Sequence, residues 1–366
     1  MFIIQIIQFF LVLSVLILVH EAGHFFVAKK AGVKVEEFGF GIPPRIWGKK
    51  IGETIYSINW LPFGGFVRLH GENSEDGVTE PKRAFVNKSK KARTAVITAG
   101  VIMNFLLAIV LFSITYSVTG IPRQTDNVRI LEVDEGSPAA EATLQADDYI
   151  RQVNGNNVAG TEGFLEAVDS ADGELELLVE RNGENLELAM TPRENPPEGE
   201  GPLGVVVTST ETYFPPWWQR PFFGAYYGIQ EAVFWGGAVI GGFAMLFSNL
   251  FSGTVPADIA GPVGIYAITT EAASFGFLSL INFVAILSVN LAILNIIPFP
   301  ALDGGRLLFI GIEALFGKKV LPKIENAFHT AGMALLILLL IVITVGDVRK
   351  LIEAGSIKAF IDSFAP

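Results

Sequence analysis

Long apolar runs alternate with polar segments along this chain of 366 residues. A helix needs about 20 mostly apolar residues to cross a bilayer. The shortest of the runs reaches that length together with residues 327–330, which precede it. We therefore predict four transmembrane helices, over Phe2–Val27, Ala95–Val118, Phe277–Ile297 and Ala331–Val345.

A fifth apolar stretch, Phe222–Phe251, is less uniform, because it contains six glycines together with Gln230 and Glu231. Two interpretations stay open. The stretch crosses the membrane, or it lies along the membrane surface as an amphipathic helix. We favour the surface position and assign residues 213–276 to an interfacial helix and linker.

The first apolar run also has to be distinguished from a secretory signal peptide. A signal peptide begins with basic residues and ends at a small-residue cleavage site. The run Phe2–Val27 has no basic residue at its start, and no such site follows it. We expect it to be retained as a membrane helix.

The charged residues predict the orientation, because lysine and arginine concentrate in cytoplasmic loops. Residues 28–94 carry 13 lysines and arginines and 7 acidic residues, whereas residues 119–220 carry 6 arginines, no lysine and 20 acidic residues. Residues 306–323 add four basic residues. The first and last of these segments are therefore predicted to be cytoplasmic, and the middle one and both termini extracytoplasmic.

Composition excludes several classes of protein. Hydrophobic residues make up 51% of the chain and charged residues 17%, against about 25% charged in an average soluble protein. With a mean hydropathy of +0.47, the chain is not disordered, not a nucleic-acid-binding protein and not an ordinary soluble enzyme. The absence of cysteine excludes thiol catalysis, thiolate metal ligands and disulfides.

The acidic segment has the alternating pattern of short strands over about residues 127–210. Asn182-Gly183, between two alternating segments, is a strong hairpin signal. We therefore predict a small β-rich domain over residues 121–212, between a helical unit at 1–120 and the interfacial segment.

The order of these pieces resembles a PDZ domain of the circularly permuted bacterial kind. The resemblance rests on Gly136–Ala140, Leu144–Ile150 and Val153–Gly155. PDZ domains of this kind usually have glycine where this chain has Asp147, so the turn there is expected to differ. The resemblance implies binding of extended peptide ends by strand addition. A β-rich domain without a ligand is the alternative.

The strongest chemical motif is His20-Glu21-Ala22-Gly23-His24, at the predicted cytoplasmic end of the first helix. Residues four apart lie on one face of a helix, so both imidazoles can reach one metal ion. Glu21 is placed to act on a water bound to that metal. The alternative is a pair of interfacial histidines that reach to the lipid headgroups, but ionisable residues there are costly without a function.

A tetrahedral zinc site needs a further protein ligand, for which His70, His329 and Asp303 are candidates. The predicted topology places Asp303 at the same membrane depth as the two histidines. Prolines and glycines around it, in residues 298–305, interrupt the helix and free the backbone to shape a site. We favour Asp303, although His329 is expected on the same side.

These motifs together resemble the site-2 proteases, which are intramembrane zinc metalloproteases, and in particular their bacterial branch in regulated intramembrane proteolysis. The matches are His-Glu-x-x-His at 20–24, Leu-Asp-Gly at 302–304, and Gly100 and Asn104 followed by Ala108.

Two further segments look like parts of the same family. Residues 61–67 resemble its membrane-associated β-hairpin, and residues 261–264 resemble a segment before its third span. Two departures occur. Val101 stands where many members have proline, and there is room for one PDZ domain, whereas the best-known enterobacterial type has two.

The resemblance implies roles for several residues. His20, His24 and Asp303 would bind Zn²⁺, and Glu21 would be the general base that activates a zinc-bound water. A β-hairpin over about residues 38–70 would pair with an unwound substrate.

For three further sets of residues, two interpretations stay open. Gly64 and Gly65 of the hairpin are candidates for substrate binding, or they belong to an ordinary interfacial loop. Asn290 and Asn295 would hold substrate backbone or support the site, or they pack between helices. For Asn104 we favour packing against the first helix over a chemical role.

We therefore expect a membrane α-helical bundle of about four transmembrane helices, with a β-hairpin and one extracytoplasmic PDZ domain. The last two helices, with the Leu-Asp-Gly motif, fall in residues 277–366. The protein would lie in the bacterial cytoplasmic (inner) membrane, with its active site near the cytoplasmic face.

The expected activity is cleavage of transmembrane segments of single-span membrane proteins, such as anti-sigma factors or remnant signal peptides. The PDZ domain would act as a size filter or read a newly cut end. Two alternatives from other classes are a non-proteolytic membrane scaffold with a degenerate metal site, and a zinc transporter. A transporter would need ionisable residues along a path across the bilayer.

Overall fold

The computed structural model describes residues 2–72, 78–171, 173–197, 199–252, 260–317, 320 and 322–363. The chain forms two compact units. Met1–Val118 and Trp218–Pro366 make the first, and Thr119–Trp217 makes the second. The helices are α1 (Phe2–Lys30), α2 (Lys90–Thr119), α3 (Pro138–Glu141), α4 (Gly160–Asp169), α5 (Arg220–Ser252), α6 (Pro262–Ser274), α7 (Phe277–Ile296), α8 (Asp303–Phe316), α9 (Pro322–Ala354) and α10 (Ile357–Asp362).

Eight strands complete the fold of the described residues. They are β1 (Val35–Ile51), β2 (Thr54–Leu69), β3 (Ile121–Val133), β4 (Tyr149–Val153), β5 (Asn156–Asn157), β6 (Leu175–Arg181), β7 (Glu184–Met190) and β8 (Val205–Tyr213). β1 and β2 pair with each other, and the others form a separate sheet.

Five helices of the described residues are long and apolar enough to cross a membrane, by length and composition. α1, α2, α7 and α9 cover the four predicted runs. The fifth is α5, over the stretch for which two interpretations were open.

α1 and α2 pack closely because a glycine lies where they meet. A Cβ atom at Gly23 would overlap the backbone carbonyl of Ala99. Small residues allow membrane helices to approach in this way. The face of α1 that carries His20 and His24 therefore lies directly against α2.

The first half of α5 runs antiparallel along α2. Gly224 packs against Ser117, Gly228 against Ser113, and a Cβ atom at Gly236 would lie 3.8 Å from the ring of Phe105. The Ser113 hydroxyl donates to an α2 carbonyl four residues earlier, whereas the Ser117 hydroxyl donates both to an α2 carbonyl and to the carbonyl of Arg220, the first residue of α5. α5 thus extends along α2 for several turns from its first residues.

α6 begins beside Asp347, near the end of α9. The backbone amides of Gly261 and Gly264 donate to the Asp347 carboxylate, at 3.2 and 2.8 Å. Asp347 is 18 residues beyond His329 on α9, which corresponds to about 27 Å of helix. α6 therefore begins far from His329, and α7 leads the chain back toward it. α7 thus ends on the side of the bundle where Asp303 meets His20.

The predicted β-hairpin is present as β1 and β2, paired from Val35 with Leu69 to Ile51 with Thr54. Its base packs on α1, in a core cluster that includes Phe25, Val35 and Leu69. Large apolar side chains of its outer half are exposed, among them Ile46, Trp47, Ile51 and Trp60. The side chains of Pro62 and Phe63 lie outside the described residues.

The second unit is an antiparallel sheet in the order β7-β6-β4-β3-β8, with β5 beside β4. Phe164 and Val168 of α4 pack into its core. Asn182 and Gly183 form the predicted turn between β6 and β7, both with positive φ. Asp147 has a φ of 71°, a conformation that glycine and, less readily, aspartate adopt. The turn at Asp147 is therefore left-handed without glycine.

Candidate metal centre

His20 and His24 lie one turn apart on α1 and turn their rings toward the same point. Their Nε2 atoms are 3.1 Å apart, and the ring planes are nearly perpendicular, at 79°. Gly100 of α2 makes room for both rings. A Cβ atom there would lie 2.5 Å from Nε2 of His24 and 2.7 Å from Nε2 of His20. Any larger residue at position 100 would displace the imidazoles.

The second nitrogen of His24 fixes its tautomer. Nδ1 lies 2.8 Å from the carbonyl oxygen of Val96 on α2, to which it donates a hydrogen bond. Nε2 is then unprotonated in the neutral ring and offers its lone pair. His20 is buried, with 8% of its surface exposed, and the side chain of His24 is 12% exposed, so neither histidine reaches toward lipid headgroups as the alternative interpretation requires.

Asp303 is the first residue of α8 and enters from a part of the chain 279 residues after His24. Its Oδ2 atom lies 3.0 Å from Nε2 of His20 and 3.2 Å from Nε2 of His24. The Leu-Asp-Gly motif allows this because Gly304 packs directly on the end of α7. A Cβ atom at Gly304 would overlap the carbonyl oxygen of Ile297.

α9 supports the turn before Asp303 on its other side. The backbone amide of Ala301, whose φ is 72°, donates to Nδ1 of His329 at 3.0 Å. One turn along α9, Gly332 packs against the ring of Pro300. His329 therefore holds the segment that carries Asp303.

The three converging atoms fit a metal ion. Tetrahedral zinc with bonds of about 2.0–2.2 Å keeps neighbouring ligand atoms roughly 3.3–3.6 Å apart. The observed separations are 3.0–3.2 Å, so a small outward movement of the three side chains would accommodate the ion. Among the described residues, His20, His24 and Asp303 form the one group of three or more potential ligands close enough to share an ion. Two imidazoles and a carboxylate are a donor set typical of catalytic zinc.

The other two histidines have hydrogen-bond partners outside the group of three. Nδ1 of His70 is 2.7 Å from Glu36, and its Nε2 accepts from the Glu80 amide at 3.1 Å, so it ties the segment after the hairpin to β1. His329 lines the same cavity as the three potential ligands but bonds to Ala301. Among the described residues, neither belongs to the group of three potential metal ligands.

A cavity of about 440 Å³ surrounds the group. Glu21, next to His20, forms part of its wall, as does Asn295 of α7. Asn290 is half-buried and is not part of the wall. Of the two asparagines predicted to hold substrate, Asn295 therefore faces the site and Asn290 does not.

The hairpin forms another wall of this cavity through Phe66 and Val67 of β2. Gly64 and Gly65 immediately precede them. A Cβ atom at Gly65 would lie 3.8 Å from Cγ of Glu21 and 3.1 Å from the carbonyl oxygen of Gly39. Gly65 thus allows β2 to come close to Glu21, and the next two residues, Phe66 and Val67, line the cavity.

An ion pair that the sequence analysis did not predict closes a further part of the cavity wall. Arg306, one turn after Asp303, pairs with Glu72, which follows the hairpin. The Glu72 carboxylate raises the pKa of the Arg306 guanidinium, which stays protonated. The spacing of Arg306 from Asp303 is the only sequence signal that could have predicted it.

Comparison with known proteins gives a consistent result. The sequence profile described as peptidase family M50 matches residues 8–339. A protein named zinc metalloprotease RasP in Oceanobacillus iheyensis is 30% identical, over 94% of this chain and 99% of that protein. One of the same name in Geobacillus kaustophilus is 31% identical, over 94% and 98%. The regulator of sigma-W protease RasP of Bacillus subtilis is 29% identical, over 96% and 100%.

Among solved structures, the PDZ domain of an SdrC-like protein from Listeria innocua matches 24% of this chain and all of that chain. The identity is 21% and the TM-score 0.21. A superposition with that score does not establish a shared fold.

Proposed function

The chain belongs to peptidase family M50 and is a zinc metalloprotease of the site-2 type, and we propose that it cuts single-span membrane proteins within their transmembrane segments. The observation that carries the proposal is the convergence of His20, His24 and Asp303 in a cavity whose wall includes Glu21. The helices around this cavity are apolar enough to lie in a bilayer.

His20, His24 and Asp303 would hold the zinc ion through two Nε2 atoms and Oδ2. When bound, zinc supplies a Lewis acid that polarises the scissile carbonyl and lowers the pKa of water to about 7. The Glu21 carboxylate takes a proton from the water that attacks the carbonyl carbon. Glu21 then gives this proton to the leaving nitrogen, as a general base and acid does in peptide hydrolysis.

A transmembrane substrate has to become extended before this attack, because intrahelical hydrogen bonds occupy its carbonyl groups. β2 would pair with the unwound segment by strand addition. The position of Phe66 and Val67 in the cavity wall, with Gly64 and Gly65 just before them, supports this role. Asn295 would bond the substrate backbone from the opposite wall, and Asn290 would pack within the bundle.

The second unit would be an extracytoplasmic PDZ domain, because its segment carries the excess of acidic residues. Its antiparallel sheet ends in β7 on one side and β8 on the other, and an open strand can accept a peptide. The domain would act as a size filter or recognise an end made by an earlier cut. The active site would lie near the cytoplasmic face of the bacterial cytoplasmic membrane.

The name of the Bacillus subtilis relative, regulator of sigma-W protease, supports anti-sigma factors as substrates. Remnant signal peptides are the second class that we propose. A scaffold without activity is disfavoured because neither a potential ligand nor Glu21 is replaced. A zinc transporter is disfavoured because, in the described part of the chain, the potential ligands form a single cluster rather than a path.

The test is the Glu21→Gln variant in proteoliposomes with a single-span membrane substrate. We expect cleavage to fall by at least about 100-fold, the usual contribution of general acid–base catalysis, with zinc still bound stoichiometrically. Glu271→Gln, which changes a carboxylate on α6 outside the cavity wall, is the matched control and should cleave normally. Retained turnover in Glu21→Gln would contradict the assignment of the base.

A further inference from the structure

Asn104 of α2 is buried completely, yet one end of its side-chain amide has no partner. Its Nδ2 atom lies 3.5 Å from Nδ1 of His20. Its Oδ1 atom is buried and makes no hydrogen bond to the described residues. Burying an amide oxygen without a partner costs on the order of 1–3 kcal/mol. A residue that only packed between helices would avoid this cost by being apolar.

The two histidines differ in how their second nitrogens are held. Nδ1 of His24 donates to the backbone carbonyl of Val96, at 2.8 Å, and this bond leaves Nε2 free to bind a metal. Nδ1 of His20 has Asn104 as its side-chain neighbour. When His20 binds a metal through Nε2, its Nδ1 carries the proton and needs an acceptor.

We infer that Asn104 is a positioning residue of the metal centre, whose Oδ1 accepts the Nδ1–H of His20. The two ends of an amide have the same shape, so a half-turn about its last torsion presents Oδ1 where Nδ2 lies. The inference rests on the proposed zinc ligands. Nδ1 of His20 would then donate to an oxygen of Asn104, just as Nδ1 of His24 donates to the carbonyl oxygen of Val96.

The same amide serves His20 in both tautomers. With Nδ2 toward the ring, Asn104 donates to Nδ1, and Nε2–H then donates to Oδ2 of Asp303 at 3.0 Å. With Oδ1 toward the ring, Nδ1–H is held and the Nε2 lone pair is exposed to the metal. Asn104 thereby keeps the His20 ring in one orientation whether or not the ion is bound.

The surroundings hold Asn104 in place. The Ser288 hydroxyl of α7 donates to its backbone carbonyl at 2.8 Å. Gly100, one turn earlier, leaves the space in which the His20 ring lies next to α2. The Gly-x-x-x-Asn pattern therefore provides the space for the ring and the hydrogen-bond partner for its far nitrogen.

The experiment measures zinc affinity of the purified full-length protein by competition with a chelator. Hydrogen-bond partners of metal-bound histidines typically contribute 10–100-fold to metal affinity. We expect Asn104→Leu, which keeps the volume but offers no acceptor, to weaken zinc binding by about this factor. Asn104→Asp offers a carboxylate oxygen and should bind zinc at least as tightly as the wild type.

Ser288→Ala is the matched control, because it removes the hydrogen bond to the backbone of Asn104 without touching His20. It should leave zinc affinity unchanged. The visible spectrum of the cobalt-substituted protein adds a second measurement, which should change in Asn104→Leu and not in Ser288→Ala. Unfolding of each variant, followed by circular dichroism, shows that the comparison is made between folded proteins.

Wild-type affinity in Asn104→Leu, or equal weakening in Asn104→Leu and Asn104→Asp, would overturn the inference. These results are distinguishable from failure of the proposed function. In that case the wild type would bind no stoichiometric zinc, or His24→Ala would not reduce binding.

Discussion

The two sides of the candidate metal centre bring their side chains to the same point by different means. His20 and His24 belong to one regular helix, and a single helical turn sets their separation. Asp303 begins a helix after an interrupted segment in which Ala301 has a positive φ and Gly304 contacts the end of α7. The histidine side depends on local spacing, whereas the carboxylate side depends on backbone contacts between α7, α8 and α9.

This difference predicts two kinds of failure. A larger residue near the histidines displaces side chains, because the neighbouring helix is regular and can stay in place. A larger residue near Asp303 displaces backbone, because a carbonyl oxygen is what it meets. The first kind should cost metal binding alone, and the second should cost both metal binding and stability.

The largest effect is expected for Gly304→Ala. Its Cβ atom would overlap the carbonyl oxygen of Ile297, so α8 has to shift relative to α7 and carry Asp303 away. We expect loss of detectable zinc and cleavage and a lower free energy of unfolding, measured by metal analysis and chemical denaturation. Gly311→Ala, on the same helix, meets no atom within 4 Å and should retain both.

Gly304→Ala with normal zinc content would contradict the view that backbone contact positions Asp303. Loss of zinc in Gly311→Ala as well would indicate that any alanine in α8 disturbs the site. The pair therefore separates close approach at position 304 from a general change in helix propensity.

Gly100→Ala tests the histidine side. Its Cβ atom would lie 2.5 Å from Nε2 of His24, so the rings have to rotate away from each other. We expect zinc affinity to fall by on the order of 100-fold. Alanine is also a better helix former than glycine, by about 1 kcal/mol, so the free energy of unfolding of the metal-free protein should not fall.

Lower stability of metal-free Gly100→Ala, comparable with that of Gly304→Ala, would remove the distinction between the two sides. Normal zinc affinity would show that the rings have room which the structure does not provide. Both are measured by the same titration and denaturation experiments.

The same contrast explains what the sequence could predict. Apolar runs predict α1, α2, α7 and α9, because length and composition suffice for a membrane helix. The four-residue spacing of His20 and His24 predicts that their rings share a helix face. Topology then brings Asp303 to the same depth, provided that residues 222–276 give no net crossing of the bundle.

Other features depend on contacts that no local pattern encodes. The acceptor for His24 is the backbone carbonyl of Val96, which any residue type would supply. Phe66 and Val67 line the cavity because this end of β2 packs beside α1. The course of α5 along α2 depends on glycines that the sequence shows but whose partners, Ser113 and Ser117, lie more than 100 residues away.

The smallest effect is expected for His329→Ala, which weakens the carboxylate side without introducing a clash. The variant removes the Nδ1 acceptor of the Ala301 amide, which is 3.0 Å away, and leaves Gly332 packed on Pro300. Because Ala301 lies two residues before Asp303, we expect about 10-fold weaker zinc binding, the lower end for indirect support of a metal ligand.

Met333→Ala, which shortens another side chain of α9 in the same cavity wall, is the control and should bind zinc normally. Complete loss of zinc in His329→Ala would instead indicate that His329 is a ligand, and backbone contacts alone would then not account for the Asp303 side of the centre.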